Sequence, residues 1–570
     1  MLRDLFQAWP RWATDVFYTV CTIVGWRLWM FTIKPWLRPD EPRDVPYWIP
    51  CHTISFFRDY VQLIEDGLHA STSADFKCES NLTGRKREPF SIQLLGKKLY
   101  ICTDPRDVST IFDDTVTFGF DDHLSNLLTS FGISKAALKR AWHVPKPGDW
   151  CFAADNPVNP KQKSLIHAVE DIFTQQLLPG DHMDVWAAKF LASVTDSLSG
   201  STDDIRLCTT GGDCVWCGGC GGSDQQGGLQ RQVSLYRLVS SVSVQATCRG
   251  MFGSHLLDID SQVVEYMLDF NEHAWMMVFQ YPSTWGKLPV DEPRERLMKI
   301  IRRFVAVPEE RRAGASWAIT SMLKGMEIVG MDTESRAAML LMVFWASVSN
   351  EHNSCFWLLA HLVHDEALLA LVRQETDAAW RAVDGGEPEL DIKYLCANAP
   401  NLGSIFNEVL RLNNTAAAVR VATKRTVLSG GKAVPKGGML VLPFRPLHTN
   451  EMVWGDDARR FKPTRFLDGN MNSSKTKDTM ARNPSFRPFG GGATYCPGRT
   501  LAKHEVFGFT AILLRRFDIR LAQTRGSLNS VSGNVKQPFP QLNSTTPSFG
   551  LNGPIKGQDV IVDIVERLGV

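Results

Sequence analysis

The chain carries almost no net charge: 62 lysines and arginines stand against 61 aspartates and glutamates in 570 residues. A balance of +1 supplies no field to draw a polyanion, so no nucleic-acid partner is expected. A disulfide framework is missing too. The 13 cysteines are an odd number and, one cluster apart, scattered, as reduced thiols are. No small-x-small cleavage site follows the N-terminal apolar run, which argues against a secretory signal. What is present is a globular composition, 44% hydrophobic and 22% charged, with 17 tryptophans and 31 phenylalanines for a large core.

Residues 13–33, ATDVFYTVCTIVGWRLWMFTI, approach the roughly 20 apolar residues that a bilayer-spanning helix needs. Asp15 and Arg27 lie toward its ends, and Trp12, Trp26, Trp29 and Trp36 suit an interfacial belt. Arg27 near the end of the span and Lys34, Arg38 and Arg43 after it outnumber Arg3 and Arg11 before it, from which a cytosolic body is expected. We expect a membrane anchor over 1–34, with an amphipathic surface helix as the alternative. Pro35, Pro39, Pro42, Pro46 and Pro50 then predict a stiff spacer over 35–50. The remaining body is 51–570, interrupted at 199–230 by a Gly-rich stretch with Cys208, Cys214, Cys217 and Cys220. Its C-x-x-C pairs could ligate zinc, but they overlap and no histidine lies near. It reads as a flexible surface insertion.

Chemistry concentrates near the C-terminus. Phe486 to Arg499 reads FRPFGGGATYCPGR. Gly490–Gly492 allow a tight bend and close approach to a flat ligand. Cys496 lies just before a predicted helix N-terminus, whose N–H groups favour a thiolate suited to a metal; a buried cysteine in a Gly-rich turn is the alternative. Upstream, Thr333 to about Arg373 predicts one long helix, apolar at both ends, with Asn350, Glu351, His352 and Asn353 in its middle. Polar groups there need partners, a cavity or a ligand; a break between two helices is the other reading, although no Gly or Pro marks one. Glu408 and Arg411 share a helical face, and Arg420, His448 and Arg465 follow.

In this order the motifs resemble the cytochrome P450 superfamily from roughly Pro46 onward. Phe489, Gly492, Cys496 and Gly498 match its haem signature, Glu408 and Arg411 its Glu-x-x-Arg motif, and Arg465 the arginine of its Pro-Glu-Arg-Phe box. PFGGG, CPGR and the Trp345–Ser347 run are similar to the branch of prostacyclin synthase and the sterol and bile-acid hydroxylases, in a fungal-type sequence. The resemblance implies a mainly α fold with a small β-rich lobe and haem b ligated by Cys496. It implies propionates held by Arg420 and His448, and a Glu408–Arg411–Arg465 cluster locking the haem-side core. It also implies electrons from NADPH through NADPH–cytochrome P450 reductase, an endoplasmic reticulum membrane and an apolar small-molecule substrate. Pocket residues are implied at 121–133, 270–288 and 416–419. Asn350 and Glu351 fall where the family carries an acid and a threonine over the distal face, Thr494 where an arginine or histidine grips a propionate, and Thr464 where the box has glutamate. The implied activity is monooxygenation of a fungal secondary-metabolite intermediate, such as a terpenoid, polyketide or alkaloid, with Glu351 delivering protons. The missing threonine leaves a haem-thiolate isomerase or dehydratase as the alternative, and a haem-binding scaffold without turnover as a third.

Overall fold

The computed structural model describes residues 11–47, 51–72, 87–199, 231–281, 283, 286–467, 483–522 and 537–567. The Cys-rich stretch falls outside these residues from 200 onward, as do Arg3 and Pro50. Helix α1, Arg11–Leu28, continues through a π-helical turn at Trp29–Ile33 into a last turn at Lys34–Leu37. The stretch Trp12–Leu37 is long and apolar enough to cross a membrane, with a mean hydropathy of 1.4 in its apolar window and none of that window buried. Its Val16, Val20, Ile23, Val24 and Leu28 all lie open.

The proline-rich spacer is less independent than expected. Strand β1, Arg43–Asp44, pairs in parallel with Phe90 and Ser91, and Val45 is buried. Proline fixes the chain in an extended form, and extended chain can add to a sheet edge. The sheet it joins contains β2 (Phe90–Leu94), β3 (Lys97–Ile101), β4 (Phe118–Gly119), β5 (Ala417–Ala422) and β6 (Met439–Pro443). Its order is β1-β2-β3-β6-β5-β4. Strand β6 runs parallel to β3 and antiparallel to β5, with Leu440 opposite both Tyr100 and Arg420. Arg420 therefore sits on a strand one removed from the sheet edge.

Helices form the rest. Four of them, α2 (Asp181–Ser199), α3 (Leu235–Phe252), α5 (Glu351–His364) and α7 (Arg499–Arg516), pack into a bundle. Helix α4 (Thr333–Val348) leads into α5, and α6 (Pro400–Asn413) packs on α5. Helix α7 is buried from Leu501 through Leu514 except at Ala502 and Lys503, and its buried positions include His504, Glu505 and Thr510.

The single long helix expected over 333–373 is three. It turns at Ser349–Asn350 and again at Asp365, whose side chain caps the helix Glu366–Asp377 by accepting the Leu368 N–H at 3.0 Å. Asn350 leaves helical geometry at φ −118°, ψ −29°. The break is filled by a distant loop: Asn350 Oδ1 accepts the Leu551 N–H at 2.9 Å and Asn353 Nδ2 donates to the Leu551 carbonyl at 3.0 Å. Two side-chain amides thus satisfy backbone from residues that local pattern could not reveal.

Candidate functional site

The loop before α7 is held by its backbone. Gly490 and Gly492 have φ of 81° and 60°, left-handed values that favour glycine. A Cβ on Gly492 would also overlap the Phe112 carbonyl oxygen, so the loop lies tight against the helix Pro105–Asp113. The Cys496 N–H donates to Phe489 O at 3.0 Å and closes the turn. Gly492→Ala is expected to cost at least about 1 kcal/mol through φ alone, and more through the overlap; thermal denaturation of the haem-loaded protein checks this.

Cys496 is exposed as a residue, while protein crowds its sulfur. That burial raises the thiol pKa; a Gly498 N–H and the Arg499 charge act in the opposite direction. A Cβ on Gly498 would sit 3.7 Å from the sulfur, so glycine there leaves the thiol clear on that side. A metal ion deprotonates a coordinating thiol outright, so a raised pKa does not prevent ligation.

Beside this loop lies a cation without an anion. Arg420 is 3% exposed. It donates to Val419 O at 2.8 Å and to Thr494 Oγ1 on the Cys496 loop, and it lies 5.1 Å over each of the Phe112 and Phe120 rings. Burial pulls its pKa down to about 10. Among the described residues no carboxylate pairs with it, and a buried unpaired charge is costly. His123 lies half-buried nearby, with its pKa lowered to about 4 by desolvation and then by the Arg420 charge.

His448 offers a second free donor. Its Nε2 accepts the Arg487 N–H at 2.9 Å, so its proton resides on Nδ1, which is buried without a partner. Desolvation first, and then the Arg411 charge, lowers its pKa to about 3 and keeps it neutral. An uncompensated guanidinium and an unmet N–H, both tied to the loop that carries a thiol, fit a flat metal-bearing cofactor with carboxylate arms.

Glu408, Arg411 and Arg465 meet in the interior. Arg411 donates to both carboxylate oxygens of Glu408 at 2.7 Å, and Arg465 Nε donates to Oε1 at 3.1 Å. Arg411 also binds the carbonyls of His448 (2.6 Å) and Ala458 (2.5 Å), while Arg465 reaches Asp457 at 2.8 Å. The cluster therefore grips the backbone of His448 itself.

Asn350 and Glu351 are neighbours in sequence but serve different surroundings. Asn350 faces the 549–551 loop, so closely that a Cβ on Gly550 would overlap its amide. Glu351 is buried in the bundle, accepting from Thr247 Oγ1 of α3 at 3.0 Å. Burial raises its pKa to about 7 against the lowering effect of the Thr247 and Ser243 hydroxyls. Glu505 of α7, which accepts the Trp186 indole N–H at 3.2 Å, is held well above the carboxylate range by burial and then by the Glu351 charge. The sequence reading missed Glu505, although a glutamate within the apolar run of α7 was a visible signal.

An aromatic wall joins the segments expected to line a pocket. Ring centroids of Phe131 lie 5.4 Å from Trp345 and 6.1 Å from Phe270. Phe549 lies 5.3 Å from Trp345 and 5.0 Å from Phe279. Phe549 had no signal in the sequence, since nothing near it marks a site. Among the described residues no cluster of three metal-ligating side chains occurs.

A family model described as cytochrome P450 matches residues 223–542. The chain is 24% identical over 506 residues to cytochrome P450 monooxygenase poxD of Penicillium oxalicum, covering 87% of this chain and 90% of that protein. It is 25% identical over 457 residues to cytochrome P450 monooxygenase calL of Penicillium decumbens, covering 77% and 80%. A shorter stretch of 137 residues is 37% identical to cytochrome P450 734A5 of Oryza sativa subsp. japonica, covering 24% and 25%.

Proposed function

The chain belongs to the cytochrome P450 family of monooxygenases, and from that premise we propose that it inserts one atom of O2 into an apolar small molecule of fungal secondary metabolism. A terpenoid, polyketide or alkaloid intermediate would suit the aromatic wall of Phe131, Phe270, Trp345 and Phe549. The family implies haem with a thiolate iron ligand, and Cys496 is the residue proposed to hold it. Haem supplies the iron at which O2 is reduced, and a thiolate ligand favours O–O cleavage. Arg420, Thr494 and the Nδ1–H of His448 are proposed to hold its propionates through charge-assisted and neutral hydrogen bonds. The observation that carries this reading is Arg420: a buried cation, bonded to the cysteine loop, with no carboxylate paired to it among the described residues.

Electrons are proposed to arrive from NADPH through NADPH–cytochrome P450 reductase. The Trp12–Leu37 helix supports a single anchor, proposed for the endoplasmic reticulum membrane with the body of the chain cytosolic. Product formation from apolar candidates that requires reductase, NADPH and O2 together is the expected result. Conversion of a peroxide substrate without NADPH and O2 would instead assign the chain to isomerisation or dehydration.

Glu351 is proposed to exchange protons during turnover, since a carboxyl titrating near neutrality both gives and takes them. Glu351→Gln is expected to slow turnover by 10²–10⁴-fold at most, the usual range for a positioned proton donor, and to raise the peroxide released per NADPH consumed. The same residue has a stability signature. Its folded pKa lies above the unfolded value, so between the two the folded chain holds a proton that the unfolded chain has lost. Stability therefore falls as pH rises from the ordinary carboxylate range to about 7 and is level above it. The glutamine variant should gain on wild type across that window by about 3 kcal/mol at most, measured by urea denaturation at several pH values.

A further inference from the structure

The threonine that α5 lacks has a counterpart on α3. Thr247 lies on that helix where it packs against α5, and it is 1% exposed. Its hydroxyl donates to Glu351 Oε2 at 3.0 Å. Among the described residues this is the one hydrogen bond the carboxyl receives, because Oε1 is buried without a partner. Ser243 stands one turn earlier on the same face of α3 and acts on the carboxyl, but its hydroxyl makes no hydrogen bond.

The surroundings leave that bond without a rival. From α7, Glu505 faces the carboxyl, and its own Oε1 accepts the Trp186 indole N–H of α2. Along α5, Cys355 follows one turn on, its thiol held well above its usual range by burial first and the two glutamates after. His352 is kept neutral by burial, with its pKa lowered to about 4. Among the described residues no cation acts on either glutamate, and the other elements packed on α5 bring no charged group to bear on Glu351. A carboxyl facing another acid and apolar walls turns to its single donor. A hydroxyl also bonds more strongly to a carboxylate than to a neutral carboxyl, so the contact favours the charged form.

We propose that Thr247 is a positioning residue for Glu351: its hydroxyl holds the carboxyl turned toward α3 and stabilises its charged form, so that an acid and an alcohol from two helices act as one pair. The bearing of this pair on turnover rests on the reading of Glu351 as a proton exchanger, whereas the pairing itself is measured without turnover.

The test follows the full-length, haem-loaded protein against pH by urea denaturation and by infrared absorption of the carboxyl, with Glu351→Gln as the blank. Thr247→Val keeps the branched shape and removes the hydroxyl. Loss of a hydrogen bond to a charged group should raise the midpoint of Glu351 protonation by about 1–2 pH units. Stability should then go on falling beyond the pH of about 7 at which the wild type levels. Thr247→Ser should restore the wild-type midpoint. On the Glu351→Gln background, Thr247→Val should leave the pH dependence unmoved. If the valine variant does not fold, Thr247→Ala carries the same expectation. An unmoved midpoint, or a displacement that persists on the Glu351→Gln background, would overturn the proposal; the second would mean that Thr247 acts through Glu505. Turnover is measured in parallel. A displaced midpoint with no change in rate or in peroxide released per NADPH would uphold the pair and remove the proton-exchange reading.

Discussion

Cys496→Ala is expected to abolish turnover while leaving the fold in place. The loop around the cysteine is shaped by backbone: the left-handed Gly490 and Gly492, the Cys496 N–H bonded to Phe489 O, and contact with Phe112. None of these uses the sulfur. Alanine therefore keeps the loop and removes the one side chain proposed to ligate iron. Loss of the reacting centre should return the rate to the uncatalysed background, a drop on the order of 10⁶-fold or more. Haem content should fall as well, since Arg420, Thr494 and His448 would be left to retain the cofactor by its edge. Absorbance of the purified variant reads haem, and a thermal transition close to that of the wild-type apoprotein reads the fold. A variant that kept thiolate-type absorbance would show that another cysteine ligates the iron; among the described residues the other free thiols are Cys21, Cys51, Cys102, Cys151, Cys248, Cys355 and Cys396.

Arg411→Ala should fail differently, in folding rather than in chemistry. Arg411 and Glu408 are both fully buried, and Arg411 meets both carboxylate oxygens at 2.7 Å. Removing the guanidinium leaves Glu408 with Arg465 at 3.1 Å and the Lys462 N–H at 3.0 Å, and strands the carbonyls of His448 and Ala458. Breaking a buried ion pair from one side typically costs about 3–5 kcal/mol, a large share of the roughly 5–15 kcal/mol by which a domain is stable. The expected outcome is low soluble yield, a lower denaturation midpoint and poor haem uptake. Arg411→Lys should not restore these properties, because an ammonium cannot reproduce the fork that spans both oxygens and two carbonyls. Wild-type yield and midpoint in either variant would show that Arg465 alone carries the cluster.

These contacts also show which parts of the site were readable in advance. The cysteine loop and the Glu408–Arg411 pair were legible because each is local, set by glycine conformation or by three-residue helical spacing. The N-terminal span was legible for the same reason, as a continuous apolar run. The break at Ser349–Asn350 was not, because the groups that stabilise it belong to Leu551. No Gly or Pro was needed: side-chain amides met a remote backbone instead. Thr494 looked like a lost propionate contact in the sequence, yet its hydroxyl receives the Arg420 guanidinium, a pairing that exists only once β5 lies beside the loop. Glu351 is the sharpest case. Its place on the helix could be read, but its partner could not: its carboxyl accepts from Thr247 of α3 within the four-helix bundle. Position along a helix fixed its neighbours in sequence; the rotation of α5 about its axis, set by packing against α3 and α7, decided where it points.

The 561–566 strand has a consequence for how the protein is made. It lies in the middle of a three-stranded sheet, with Val562 opposite both Val233 and Leu521. The strand Arg231–Ser234 leads directly into α3, yet among the described residues its strand partner in that sheet, 561–566, is encoded hundreds of residues later. At roughly 5–20 residues per second, that edge waits tens of seconds on the ribosome for its partner. A nascent chain thus carries α3 and its leading strand for that interval before the sheet can close. A stalled or prematurely terminated copy would leave the ribosome with an unpaired strand edge, the kind of species that quality-control proteases and chaperones have to recognise.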